Sequence, residues 1–185
     1  AGAGTAQGEA TLDAELEPLA VAPGLGRLQP AAGLGGNLTL AGHARVSIGA
    51  QFSADVVLER NSGDLTLTDD TGTTAFGLTD LRFALAAQDG TWHFTQALAG
   101  GNLGVLAGAQ SLRLTADARW PRPDTPMEGV LEWRIADLGA WAPFTPPGWR
   151  LSGMLRTGAA LGGSFGAPQL TGEMTGSGLA LRNLL

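Results

Sequence analysis

Cysteine is absent, so neither disulfides nor thiolate metal sites can support the fold. The same absence leaves the redox compartment unread, and a periplasmic location stays permitted. Lysine is absent too: all 11 basic residues are Arg, set thinly against 17 acidic residues for a net charge of −6. Without a basic stripe to neutralise phosphates, nucleic acid is excluded as a partner. No apolar run approaches the roughly 20 residues that cross a bilayer. The opening Ala-Gly-Ala-Gly-Thr string has neither the basic region nor the apolar stretch of a signal peptide. Any membrane anchor is expected outside this stretch of chain.

Chemistry-bearing groups are equally sparse. His43 and His93 are the two histidines, and no carboxylate spacing near either resembles a metal-ligand set. Gly163-Ser164-Phe165-Gly166 and Gly176-Ser177-Gly178 lack the spacing of a nucleophile elbow and read as strand ends and turns. Asp69 and Asp70 are adjacent, but neighbours on a strand point to opposite faces and Gly72 follows at once, which is turn chemistry. The strings Gly33-Leu34-Gly35-Gly36 and Gly100-Gly101-Asn102-Leu103-Gly104 carry no phosphate-loop Lys and open no helix. No catalytic residue, metal or cofactor is expected, and the chain is not read as an enzyme.

What is present is a rhythm. The 29 Gly and 10 Pro fall at short intervals, with Ala, Leu and Thr between them, a mix that favours short strands joined by tight turns. From Val46 to Glu59 the even positions read Val46, Ile48, Ala50, Phe52, Ala54, Val56 and Leu58, and of the odd positions only Val57 is apolar. A helix would smear these residues around its circumference, whereas a strand or strand pair with one buried face keeps them together. The alternation returns over Ser111 to Trp120 and at Leu131, Trp133 and Ile135. Shorter stretches behave alike: Leu12–Leu16, Leu38–Leu40, Leu65–Leu67, Leu81–Leu85, Trp92–Phe94, Leu103–Val105, Leu151–Leu155, Leu170–Met174 and Leu179–Leu181. About a dozen strands are expected.

Turn signals at 61–64, 69–72, 88–90 and 99–102 make consecutive strands antiparallel neighbours. Two stretches interrupt the meander. Pro121 to Pro126 holds three prolines, and in Asp137 to Trp149 Asp137 can cap one short helix before Pro143. The chain is expected to form one β domain over residues 1–185, a fragment of a larger protein, with a weak subdivision into 1–121 and 122–185. The first forty residues, rich in Gly, Ala and Pro, read as edge strands or partly loose chain. Trp120, Trp133, Trp141 and Trp149 crowd together, and a core or groove end is favoured over a binding platform.

The expected class is all-β, as an extended, curled, antiparallel-rich sheet forming an open apolar trough, or alternatively a β-sandwich. Period and composition fit both. The residues expected to line the apolar interior are Val46, Ile48, Phe52, Val56, Leu58, Leu112, Leu114, Trp133 and Ile135, with Ser47, Gln51, Asp55, Arg113 and Asp117 facing solvent.

Four strings in order, Asp137-Leu138-Gly139-Ala140-Trp141-Ala142-Pro143, Gly148-Trp149-Arg150-Leu151-Ser152-Gly153, Leu161 through Gly172, and Leu179-Ala180-Leu181-Arg182-Asn183-Leu184, resemble the TamB translocation-and-assembly family. Asp89-Gly90-Thr91-Trp92-His93-Phe94 and Leu98 through Gly104 look like upstream segments of the same family, so the resemblance covers about residues 75 to 185. It implies a periplasmic section of a large protein anchored in the inner membrane of a Gram-negative bacterium, reaching towards an outer-membrane barrel partner of the TamA or BamA type. It also implies a lengthwise trough that carries phospholipid or another acyl lipid and no catalytic residues. An assembly scaffold for outer-membrane proteins is the alternative role. Family members continue past the last matching string with further strands, hence the expectation of a fragment.

Overall fold

A computed structural model describes residues 10–24, 33–49, 51–69, 72–115, 118–145 and 148–183. Its strands are β1 (Ala10–Ala20), β2 (Leu34–Gly36), β3 (Thr39–Ile48), β4 (Phe52–Ser62), β5 (Leu65–Asp69), β6 (Gly72–Ala75), β7 (Leu78–Gln88), β8 (Thr91–Gly100), β9 (Gly104–Arg113), β10 (Met127–Ile135), β11 (Trp149–Ser164) and β12 (Ala167–Asn183). Nine of them form one sheet in the order β1-β3-β4-β7-β8-β9-β10-β11-β12, and β2-β5-β6 form a second. Every registered pair is antiparallel. The large sheet does not close, since β1 and β12 lie at its two ends. The class is all-β with an open sheet. No second sheet of matching extent covers it among the described residues, as a sandwich would need.

The long alternation at 46–59 resolves into a hairpin. Ile48 pairs with Phe52 and Val46 with Ala54, so three residues form the turn and partners are separated by an even number of positions. Even residues therefore stay on one face through the reversal, which is why two strands read as one. The β7–β8 hairpin is tighter: Gln88 pairs with Thr91, and Asp89 and Gly90 both take positive φ, at 52° and 74°. That backbone twist matches the twist of the flanking strands, and Gly and Asp reach it cheaply. Leu170–Met174 and Leu179–Leu181, expected as separate strands, run together in β12. β11 and β12 shift register between Ser152 and Met154, where Gly153 adopts φ 109°. This is a bulge, and a side chain at that φ would be strained.

The expected strand over 111–120 ends at Arg113 instead. Beyond it Leu114 N–H donates to the Gly90 carbonyl, and Ala118 N–H donates to Thr115, so the chain leaves the ladder. It returns as β10, which pairs with β9 from Met127↔Leu112 to Arg134↔Val105. The intervening loop is held by Thr125, whose Oγ1 accepts from Arg122 N–H at 2.8 Å and whose carbonyl accepts from Phe165 N–H at 2.9 Å. Gly166 N–H donates to Pro123, tying the loop to the β11–β12 turn as well. Asp137 caps the 3-10 helix Leu138–Phe144, accepting from Gly139 N–H at 2.7 Å.

At the other strand ends Asp64 joins three connections. Its Oδ1 accepts from Leu65 N–H and Leu78 N–H, its Oδ2 from Gly77 N–H, and its carbonyl from Asn37 and Leu38 N–H. Asn37 Oδ1 in turn accepts from Asp64 N–H at 2.9 Å. Both connections flanking the small sheet are thereby pinned to the large one.

Candidate functional site

Cross-strand partners share a face, so the pairing fixes which residues stand together. One chain of partners runs Leu12, Val46, Ala54, Ala87, Trp92, Leu112 and Met127 across seven strands. Stepping inward by two residues gives a rung of Ala14, Ala44, Val56, Leu85, Phe94, Gln110, Gly129, Leu161 and Leu170. The next rung is Leu16, Gly42, Leu58, Phe83, Gln96, Gly108, Leu131, Ala159 and Gly172. Neither central rung carries a charged side chain. The opposite face bears Asp13, His43, Arg45, Asp55, Arg82, His93, Glu128, Glu132, Arg134 and Arg156, interleaved with Ala and Thr.

Both strand-end borders of the apolar face are capped. At the 88–92 end, Phe52 stacks on Trp92 with ring centroids 5.4 Å apart, and Trp120 lies 5.0 Å from Phe52 and 5.5 Å from Trp92. Ala54, Ala87, Trp92 and Leu112 are buried there, with Phe94, Leu114 and Met127 packed against them. At the opposite end Leu38, Leu78 and Leu81 are buried against Leu40, Leu98, Leu65 of the small sheet and Leu103. Further along that border Trp133 meets Trp141 of the 3-10 helix edge-on at 5.3 Å and donates from Nε1 to the Leu103 carbonyl at 3.0 Å.

Between these caps the face is half-open. Phe83, in the middle of the sheet, is 48% exposed, and towards β12 Leu170 and Met174 reach 62% and 68%. A concavity of about 480 Å³ is lined by Phe94, Leu112, Met127, Leu131, Leu161 and Leu170, every one on this face. Small residues in the rungs, Gly108, Gly129, Ala159 and Gly172, keep its floor low.

The nine residues read from the sequence as wall therefore share one side of the molecule but not one environment. Val46, Val56 and Leu58 stand on the partly covered sheet, and Ile48 is exposed at the β3–β4 turn. Phe52 belongs to the aromatic cap, and Leu114, just past β9, packs on the same cluster. Leu112 and Ile135 are 1% and 4% exposed, so they carry packing, while Trp133 belongs to the second cap. Gln51, Asp55 and Arg113 are exposed, Ser47 is half-buried, and Asp117 lies outside the described residues. Val57, the apolar exception among the odd positions, sits on the charged face and is buried beside His43 and Ala84.

The open centre is made mostly of residues the sequence pattern did not single out: Phe83, Leu85, Phe94, Leu131, Leu161 and Leu170. Their signal was present as short alternating runs, but Ala84 and Ala86 flank Phe83 and Leu85 with small apolar groups and blur the parity. On the charged face Glu132 accepts from Arg134 and Arg156, each at 2.7 Å. Hydrogen bonding from Arg134 and then from Arg156 holds its carboxyl below the usual glutamate range. His43 Nε2 lies 3.7 Å from Asp55 Oδ1, an exposed pair.

No protein-family model, curated protein or solved structure matches the chain.

Proposed function

We propose that this protein binds acyl lipid along the open apolar face and serves as one section of a periplasmic bridge that conducts phospholipid between inner and outer membranes. The observation that carries this reading is the pair of uncharged central rungs, capped at both strand ends and uncovered between. Nine strands spaced about 4.8 Å apart give a path of about 38 Å across the strands. A buried CH₂ contributes roughly 0.8 kcal/mol, so a chain of about sixteen carbons could gain at most about 12 kcal/mol, and less where the face stays wet. The gain accrues methylene by methylene, and the rungs carry no charged side chain, only Gln96 and Gln110 as polar groups, so holding a chain and letting it slide are compatible. The TamB-like strings supply the envelope context: an inner-membrane anchor on the parent protein and a barrel partner of the TamA or BamA type. Native mass spectrometry of gently purified protein should find bound lipid, and a fluorescent fatty acid should be taken up. Bare protein with no uptake would remove the reading.

A second reading has its own observation. β12 spans Ala167–Asn183, is exposed along nearly its whole length, and ends the sheet with an outer edge that no described strand pairs. Such an edge can accept an incoming strand, so the protein would act as an assembly scaffold for an outer-membrane β-barrel protein. Photocrosslinkers along β12 that capture barrel proteins support it; capture of lipid alone does not.

A further inference from the structure

The aromatic cap is not purely apolar. A cleft of about 700 Å³ opens between the 88–92 turn and the loop that follows β9. Its apolar wall is Phe52, Trp92 and Leu114, and its polar wall carries Arg113 and Arg119, with Asp89 on the rim. Both arginines are exposed, and neither guanidinium has a hydrogen-bonding or ionic partner among the described residues. Some arginines elsewhere are paired, Arg45 with Asp13 and Arg134 and Arg156 with Glu132, while Arg82, Arg150 and Arg182 likewise have no partner among the described residues but line no shared cleft with an aromatic wall. In a chain of net charge −6, two arginines without a partner among the described residues, against the single rim carboxylate of Asp89, leave the described lining of this cleft net positive.

The cleft also adjoins the open face. Trp92, Leu114, Phe94, Leu112 and Met127 belong to one packed cluster, and the last three line the central concavity. A ligand with its polar end among the arginines would thus have apolar surface leading away from it. Guanidinium groups present planar donor pairs that match phosphate oxygens, while the aromatic wall favours the first methylenes of a chain.

We infer that this cleft seats the anionic headgroup of a single-phosphate amphiphile, with its acyl chain passing the exposed Trp120 ring and laid over Phe94 into the central rungs. The inference rests on the acyl-binding reading above and adds a position and a charge preference. Because the arginines are exposed, the preference is modest: two exposed ion pairs amount to about a tenfold difference in affinity. It also weakens as salt screens the site.

The test compares lysophosphatidylglycerol with lysophosphatidylcholine of the same chain length, each below its micelle concentration, using tryptophan fluorescence and calorimetry. Inorganic phosphate is the third probe. The anionic lipid should bind about tenfold tighter than the zwitterionic one at low salt. The difference should vanish at high salt and in Arg113→Gln/Arg119→Gln, whose retained fold is checked by circular dichroism, with lysophosphatidylcholine, whose phosphate is offset by its own choline, losing less affinity than lysophosphatidylglycerol. Inorganic phosphate alone should not bind measurably. Equal affinities for the two lipids, or a preference that survives the double substitution, overturn the headgroup site while leaving the acyl-binding face intact. Tight binding of free phosphate would make the cleft an anion site unrelated to lipid. No binding of either lipid removes both readings.

Discussion

Asp64 ties three connections of the chain together through one residue. Its carboxylate accepts three backbone N–H groups, from Leu65, Gly77 and Leu78, all within 2.9 Å. Hydrogen bonds to a charged group are worth about 1.5–3 kcal/mol, and leaving buried donors unpaired costs more than removing both partners. Asp64→Ala should therefore lower unfolding stability by about 2–4 kcal/mol in chemical denaturation. Asp64→Asn, which keeps one oxygen acceptor, should fall between. If Asp64→Ala denatures like the parent, the small sheet is held by its leucines alone. Glu132 gives the corresponding pH prediction. Its folded carboxyl lies below its ordinary range because Arg134 and Arg156 donate to it. A depressed acid stabilises the fold above its unfolded value, and that contribution is lost as pH falls through the lower folded value. The group is solvent-exposed, so the effect is small, but Glu132→Gln should flatten the acid limb of the stability profile. An unchanged limb would place the pH dependence on other carboxylates.

Among the elements, the loop between β9 and β10 decides how one border of the face is closed. Thr125 is buried, and its hydroxyl and carbonyl hold Arg122 and Phe165. Thr125→Val keeps the shape and removes the acceptor, at a cost of about 1–2 kcal/mol. Hydrogen exchange should quicken in the 118–126 loop and tryptophan emission should shift red as Trp120 leaves Phe52 and Trp92, with β7 and β8 unaffected. Exchange rising equally across those strands would mean that the loop and sheet open together. This loop is also where the sequence misled. Leu112, Leu114, Ala116, Ala118 and Trp120 alternate like a strand, yet Leu114 bonds to Gly90 and the ladder stops. Parity is a property of one strand and its immediate turn, so it was readable at 46–59, where the three-residue turn preserves it. The registers that join β7 to β4 and β10 to β9 arise between distant residues, and no local period encodes them. That is why Val46 and Leu58 could be placed on the apolar side from the sequence, whereas the central position of Phe83 could not. The same limit hid the second sheet: Leu65–Leu67 reads as a strand, but nothing in it says which sheet it joins.

At the scale of the whole molecule, the open face separates two kinds of apolar residue, and charge insertion distinguishes them. Phe83 is 48% exposed and Leu112 is 1% exposed, though both stand on the same side. Phe83→Arg can lay its stem on the face and keep its head in water, so it should fold with a stability loss below about 1 kcal/mol while abolishing acyl binding. Leu112→Arg buries an unpaired charge under the aromatic cap and should cost more than about 4 kcal/mol, enough to unfold a domain of ordinary stability. A Phe83→Arg protein that still takes up fluorescent fatty acid would place the ligand elsewhere, and one that fails to fold would mean that this surface is normally covered. The two caps have a mechanical consequence as well. Trp120 stands at one set of strand ends and Leu38, Leu65 and Trp141 at the other, so a flexible chain resting on the sheet meets a kerb whichever way it drifts along the strands. Drift across the strands follows a single rung, from Leu58 to Phe83 and past Gln96 and Gly108 to Leu131, and meets no charged side chain on the way. On the acyl-binding proposal the surface is a lane rather than a field: a bound chain would move in one dimension, and that dimension leads from β1 to β12.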